Sequence, residues 1–171
     1  MSRYVYFDTC ALARWAEGDV AAPSDRARDG RLAVEALLGE SGTTLGLSEI
    51  TVLEYSSVLT QFWRQSENPT HDQPWADRCL DALMQQIAVG RIEIISVPPK
   101  AAEQAMYLMK IAVRDRRIAL RPWDALHLIS AAGWADRLDD RVELATCDAD
   151  FQRFVDAFPY FGRFVSILMT V

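Results

Sequence analysis

Short apolar runs alternate along this chain with longer stretches in which hydrophobic residues recur every three or four positions. Tyr4 to Phe7 is an aromatic and β-branched run that stops at Asp8, the pattern of a buried strand ending on a carboxylate. A helix from Thr9 to about Trp15 is expected next. Gly18, Pro23, Ser24 and alternating charges mark Glu17 to Gly30 as a loop, after which Leu32, Val34, Leu37 and Leu38 resume helical spacing. Leu45 to Leu47 gives a second strand. Ser48 is placed to cap a helix through Ile50, Leu53, Val58 and Phe62 that carries Glu54, and the polar stretch Ser66 to Pro74 ends it.

Trp75, Leu80, Leu83, Met84 and Ile87 repeat at helical spacing, Gly90 closes that helix, and Ile92 to Val97 forms a strand. Pro98 and Pro99 start a helix whose apolar face carries Ala102, Ala105, Met106, Met109 and Val113. Pro122 opens another, with Asp124 in its first turn. Val142 to Thr146 is a fourth strand running into Cys147 and Asp148, a short helix follows around Phe151, Phe154 and Val155, and Phe164 to Met169 supplies a fifth strand. Strands separated by helices, with no two-residue hairpin signal, predict an α/β fold whose parallel sheet is covered on both faces. With 171 residues, half of them hydrophobic, and no repeat or linker, residues 1–171 are expected to form one domain.

Charge narrows the function. A net charge of -6 argues against coating nucleic acid by bulk electrostatics, so any such contact must be local. Cys10, Cys79 and Cys147 are odd in number and far apart, and only His71 and His127 accompany them, so neither disulfides nor zinc are expected. The absence of a long apolar stretch or a secretory pattern at the start leads to the expectation of a cytoplasmic protein with no membrane contact.

The acids carry the chemistry. In an open parallel sheet, ligands bind beyond the carboxyl ends of the strands, near the switch in strand order. Asp8 and Asp148 follow strands at that edge, and Glu54 and Asp124 lie on helices that can begin there. Four converging carboxylates would repel one another and raise their pKa values unless a hard divalent cation held them. An oxygen-only ligand set favours Mg²⁺ or Mn²⁺ over zinc and fits phosphodiester hydrolysis. Taken singly, Asp148 reads equally as a helix N-cap and Asp124 as an acid favoured by its helix dipole.

Four segments together give the chain its resemblance to the PIN-domain family, and within it to VapC-like toxins: Tyr6-Phe7-Asp8-Thr9, Ser48 to Glu54, Trp123 to Leu128, and Ala145 to Phe151. The resemblance implies a three-layer α/β/α sandwich around about five parallel strands, with metal ligands at Asp8, Glu54, Asp124 and Asp148. It implies an endoribonuclease using Mg²⁺ or Mn²⁺ to cut RNA and leave a 5′ phosphate, acting as the toxin of a toxin–antitoxin pair, with a small antitoxin partner and a homodimeric state. Thr9 and Thr146 match positions that hydrogen-bond the carboxylates or the scissile phosphate. Cys10 departs from the pattern, since the family often has Asn there.

Asp150 is a companion or rival of Asp148, and Glu49 is a rival of Glu54 that reads better as a first-turn acid. Arg114, Arg116, Arg117 and Arg121 precede Asp124 and could grip an RNA backbone, although a solvated helix end accounts for them equally well. His127 could act as a general base, with packing the better reading, and the five tryptophans read mainly as core. A non-enzymatic alternative is an inactive PIN-like domain that binds a protein partner.

Overall fold

A computed structural model describes residues 2–20, 23–65, 70–116 and 118–170. Along the chain it runs β1 (Arg3–Phe7), α1 (Thr9–Glu17), α2 (Asp25–Gly39), β2 (Thr43–Ser48), α3 (Glu49–Gln65), α4 (Gln73–Ala88), β3 (Ile92–Ile95), α5 (Ala101–Ile111), α6 (Pro122–Leu138), β4 (Val142–Thr146), α7 (Ala149–Ala157) and β5 (Val165–Met169). The five strands form one parallel sheet in the order β3-β2-β1-β4-β5.

Strand alternation explains the layers. Val5 and Phe7 of β1 face a core shared with α1, α2, α3 and α4, whereas Tyr6 between them faces a second core built with α5, α6 and α7. The result is the expected α/β/α sandwich. Gly46 on β2 is required by the second core, because a Cβ there would come within 2.8 Å of the Trp134 ring and of Ile95. Trp75 and Trp134 are buried in opposite cores, while Trp63 and Trp123 are exposed.

Several expectations are corrected. The stretch read as a loop up to Gly30 becomes helix from Asp25, where the Ser24 hydroxyl accepts the Ala27 N–H at 3.2 Å and the buried face starts with Ala27 and Gly30. Val34 and Leu37 are buried as expected and Leu32 is exposed, while the small residues Ala27 and Gly30 extend the buried face toward the helix start. Helix α4 begins at Gln73, before the expected end of the polar stretch, because Asp72 caps it and Pro74 fits the first turn; residues 66–69 of that stretch lie outside the described residues.

The core-facing stripe of α3 is Thr51, Tyr55 and Leu59, leaving Leu53 69% exposed. On α5, Ala101, Ala105 and Leu108 face inward, so Met106 is exposed, as is Val113 in the π-turn Ala112–Arg116 that follows. Strand β3 ends at Ile95 instead of Val97, and α5 starts after Lys100, which adopts φ 63°. No helix among the described residues is long and apolar enough to cross a membrane.

Candidate active site

The chain moves from β1 outward to β2 and β3, then returns to β4 and β5 on the other side, so the switch in strand order lies between β1 and β4. There the Asp8 N–H donates to the Ala145 carbonyl at 3.2 Å, fixing the two strand ends side by side. Asp8 caps α1 by accepting the Ala11 N–H at 3.0 Å, and Asp148 caps α7 by accepting the Asp150 N–H at 2.9 Å. Asp124, the third residue of α6, accepts the Arg121 N–H at 3.1 Å. Asp148 is thus the N-cap that one reading made it, Asp124 lies in the first turn of α6 as expected, and these helix starts, with that of α1, bring the three acids to one rim.

Asp8, Glu54 and Asp124 line one cavity of about 190 Å³, together with Thr9, Cys10, Arg121 and His127. Asp148 joins them through Arg121, whose guanidinium donates to both oxygens of Asp124 at 2.9 and 3.0 Å and to Asp148 at 3.1 Å. An arginine thus neutralises two acids where a cation was expected. Among the described residues, no three His, Cys, Asp or Glu side chains stand close enough together to hold a metal as they are. The donor set still suits a hard cation: its carboxylates come from four separate segments, and among the described residues no cationic side chain is in hydrogen-bond contact with Asp8.

Electrostatics separates the acids. Burial pushes Asp8 up to about 6, against the pull of His127, the Ala11 N–H and the Thr146 hydroxyl, which donates at 2.7 Å. Burial acts on Glu54 in the same sense, but hydrogen bonds from His127 at 2.9 Å and from the Thr9 hydroxyl outweigh it and leave Glu54 lowered. For His127 burial pulls down, while Tyr6, Glu54 and Asp8 raise it, with a net shift to about 10. His127 and Glu54 therefore form a charged pair.

His127 is the residue whose importance the sequence reading underrated. It is 2% exposed, and its Nδ1 lies 3.2 Å from the Tyr6 hydroxyl, which donates to Ser48 Oγ at 2.9 Å, while Thr51 Oγ1 stands 3.5 Å from the ring. These partners lie on β1, β2 and α3, so no local motif announces the network.

The remaining candidates divide. Thr146 bridges by donating to Asp8 and accepting the Asp148 N–H at 3.0 Å. Asp150 pairs with Arg153 at 2.8 Å, and Glu49 is exposed on the first turn of α3; neither lines the cavity. Arg114 binds its neighbour Asp115, Arg116 is exposed, and neither borders the cavity, which Arg121 reaches; Arg117 lies outside the described residues. The expectation of unpaired cysteines is overturned at the rim, where the sulfurs of Cys10 and Cys147 meet with their Cα atoms 5.9 Å apart. Cys79 stays buried and free.

No family model matches the sequence, and no curated protein is significantly similar to it. Solved structures are more informative. The chain superposes on a chain of VapBC2 from Rickettsia felis, crystallised bound to a DNA fragment from its promoter, with a TM-score of 0.60 and 13% identity over 96% of this chain and 98% of that one. A chain of FitAcB from Neisseria gonorrhoeae matches with a TM-score of 0.50 and 15% identity, covering 94% and 95%. The fold is PIN-like. In this PIN-like sandwich the acid rim occupies the topological switch, so the position of the site follows from strand order.

Proposed function

We propose that this chain is a divalent-cation-dependent endoribonuclease acting as the toxin of a toxin–antitoxin pair. The observation that carries the proposal is the gathering of Asp8, Glu54 and Asp124 around one cavity at the switch point, with Asp148 tied to them by Arg121. These four carboxylates would hold Mg²⁺ or Mn²⁺, which supplies positive charge to polarise a phosphodiester and to activate water.

The chain's own groups prepare that task. Thr146 holds one oxygen of Asp8, while His127 and Thr9 hold Glu54 in its ionised form. The Arg121 side chain is 69% exposed, so its guanidinium is free to leave Asp124 and Asp148 and grip a backbone phosphate. RNA as substrate and a homodimer are carried by the resemblance in the four acidic segments, and a cytoplasmic location by the expectation drawn from the apolar pattern of the sequence. A basic antitoxin partner suits the net charge of -6, and the structural neighbours are chains of VapBC2 and FitAcB.

A second reading, a protein-binding module without activity, is favoured by one observation: Arg121 already satisfies Asp124 and Asp148 from within the chain. The two readings part in one experiment. Protein stripped of any co-purifying partner is incubated with single-stranded RNA and Mn²⁺. Cleavage by the wild type, reduced at least about 10²-fold in Asp8→Asn and in Asp124→Asn, is expected. No cleavage by the wild type, or full activity in both variants, would reject the nuclease.

A further inference from the structure

We propose that Cys10 and Cys147 form a reversible disulfide that locks the acid rim in an open arrangement, making cation binding sensitive to redox state. The consequence for the cation rests on the nuclease reading; the crosslink itself does not. Cys10 lies two residues after Asp8 on α1, and Cys147 lies between Thr146 and Asp148 at the end of β4. Their Cα atoms are 5.9 Å apart, within the span that a disulfide bridges without backbone movement. The Cys147 N–H donates to Cys10 Sγ at 2.8 Å, so backbone geometry already aims the two residues at each other. Both are only half-buried and open to a small oxidant, unlike buried Cys79.

The pair is coupled to the acids through Thr146. Its hydroxyl stands 3.4 Å from Cys10 Sγ, donates to Asp8 and accepts the Asp148 N–H. Among the described residues no three potential ligands stand closely enough together for a metal while the two sulfurs are in contact, so cation binding requires the rim to draw in. A covalent link between the ends of β1 and β4 resists that shift. Breaking it frees the segments that carry Asp8 and Asp148.

The chemistry balances with a peroxide as oxidant. Two thiols and one hydrogen peroxide give one disulfide and two waters; the S–S bond forms, the O–O bond breaks, and the two thiol protons leave with the oxygens. A dithiol reductant reverses the step by exchange, becoming a cyclic disulfide itself.

The test compares peroxide-treated and dithiol-treated full-length protein, with Cys10→Ala and Cys147→Ala as controls. Alkylation under denaturing conditions followed by mass measurement should find one free thiol, that of Cys79, after oxidation and three after reduction. The crosslink spans 137 residues, so oxidation should raise Tm by roughly 5–15 °C. Oxidation should weaken Mn²⁺ binding by about fivefold or more, a loss reversed by reduction and absent from both variants.

Three free thiols after peroxide, sulfinic acids in place of a disulfide, or dimers linked through these cysteines would overturn the crosslink. A crosslink that leaves Mn²⁺ affinity unchanged would overturn its control of the rim. If neither redox form binds Mn²⁺ or cuts RNA, it is the nuclease reading that fails, while the thiol count and the Tm shift still report on the disulfide.

Discussion

On the β2 side of the rim, Glu54 is neutralised from inside the protein by His127, 2% exposed and held in a network with Tyr6, Thr9 and Thr51. On the β4 side, Asp124 and Asp148 are neutralised from outside by Arg121, whose side chain is 69% exposed. Asp8 sits between the two halves with neither partner in hydrogen-bond contact, and burial raises its pKa to about 6. The difference teaches which cation is structural and which is exchangeable. A buried partner leaves a bare charge behind when it is removed, whereas an exposed arginine can be replaced by water, a metal or a phosphate.

Breaking the inner half should have the largest effect on stability. His127→Phe removes the partner of a half-buried carboxylate and should cost about 3 kcal/mol or more, seen as a lower urea midpoint at pH 7. Glu54 is lowered, so its share of the stability is present above the ordinary carboxylate range and fades as pH falls through its folded value. His127 is raised, so its share is full below pH 6.5 and fades as pH climbs toward 10.

Asp8 behaves in the opposite sense. Its folded pKa of about 6 exceeds the ordinary 3.8, so it favours the folded state at acid pH and loses that contribution as pH rises through 6. Asp8→Asn should therefore stabilise the metal-free protein by about 3 kcal/mol at pH 8, with the gain vanishing below pH 4, in denaturant titrations at the two pH values. A destabilised variant at pH 8 would contradict the account of Asp8 as a carboxylate whose charge burial disfavours.

The outer half should give the smallest change in stability and a selective change in binding. Arg121→Ala should alter stability by less than about 1 kcal/mol while tightening Mn²⁺ binding by roughly threefold, because a competing cation has gone. Equal or weaker Mn²⁺ binding in this variant would show that Arg121 does not stand in for the metal.

Much of the site was legible because three of its acids lie at chain positions with strong local signals. Asp8 and Asp148 follow apolar strands, and Asp124 follows a proline that starts a helix. The inner network was not legible, since Tyr6, Ser48, Thr51 and His127 meet only when β1, β2, α3 and α6 pack together. The Cys10–Cys147 contact escaped for the same reason across 137 residues. The helix starts at Asp25 and Gln73 were missed differently. Ser24, Asp72 and Pro74 suit a loop as well as a helix start, where they serve as caps and a first-turn residue, and Ala27 and Gly30 carry too little hydrophobicity to mark a buried face.

A calorimetric titration of Mn²⁺ into reduced, partner-free protein tests the central claim most directly. The account predicts saturable binding by the wild type that is lost in Asp8→Asn and in Asp124→Asn but kept in Asp150→Asn, whose carboxylate pairs with Arg153 away from the cavity. Binding that survives both rim substitutions, or no binding by the wild type, would contradict it.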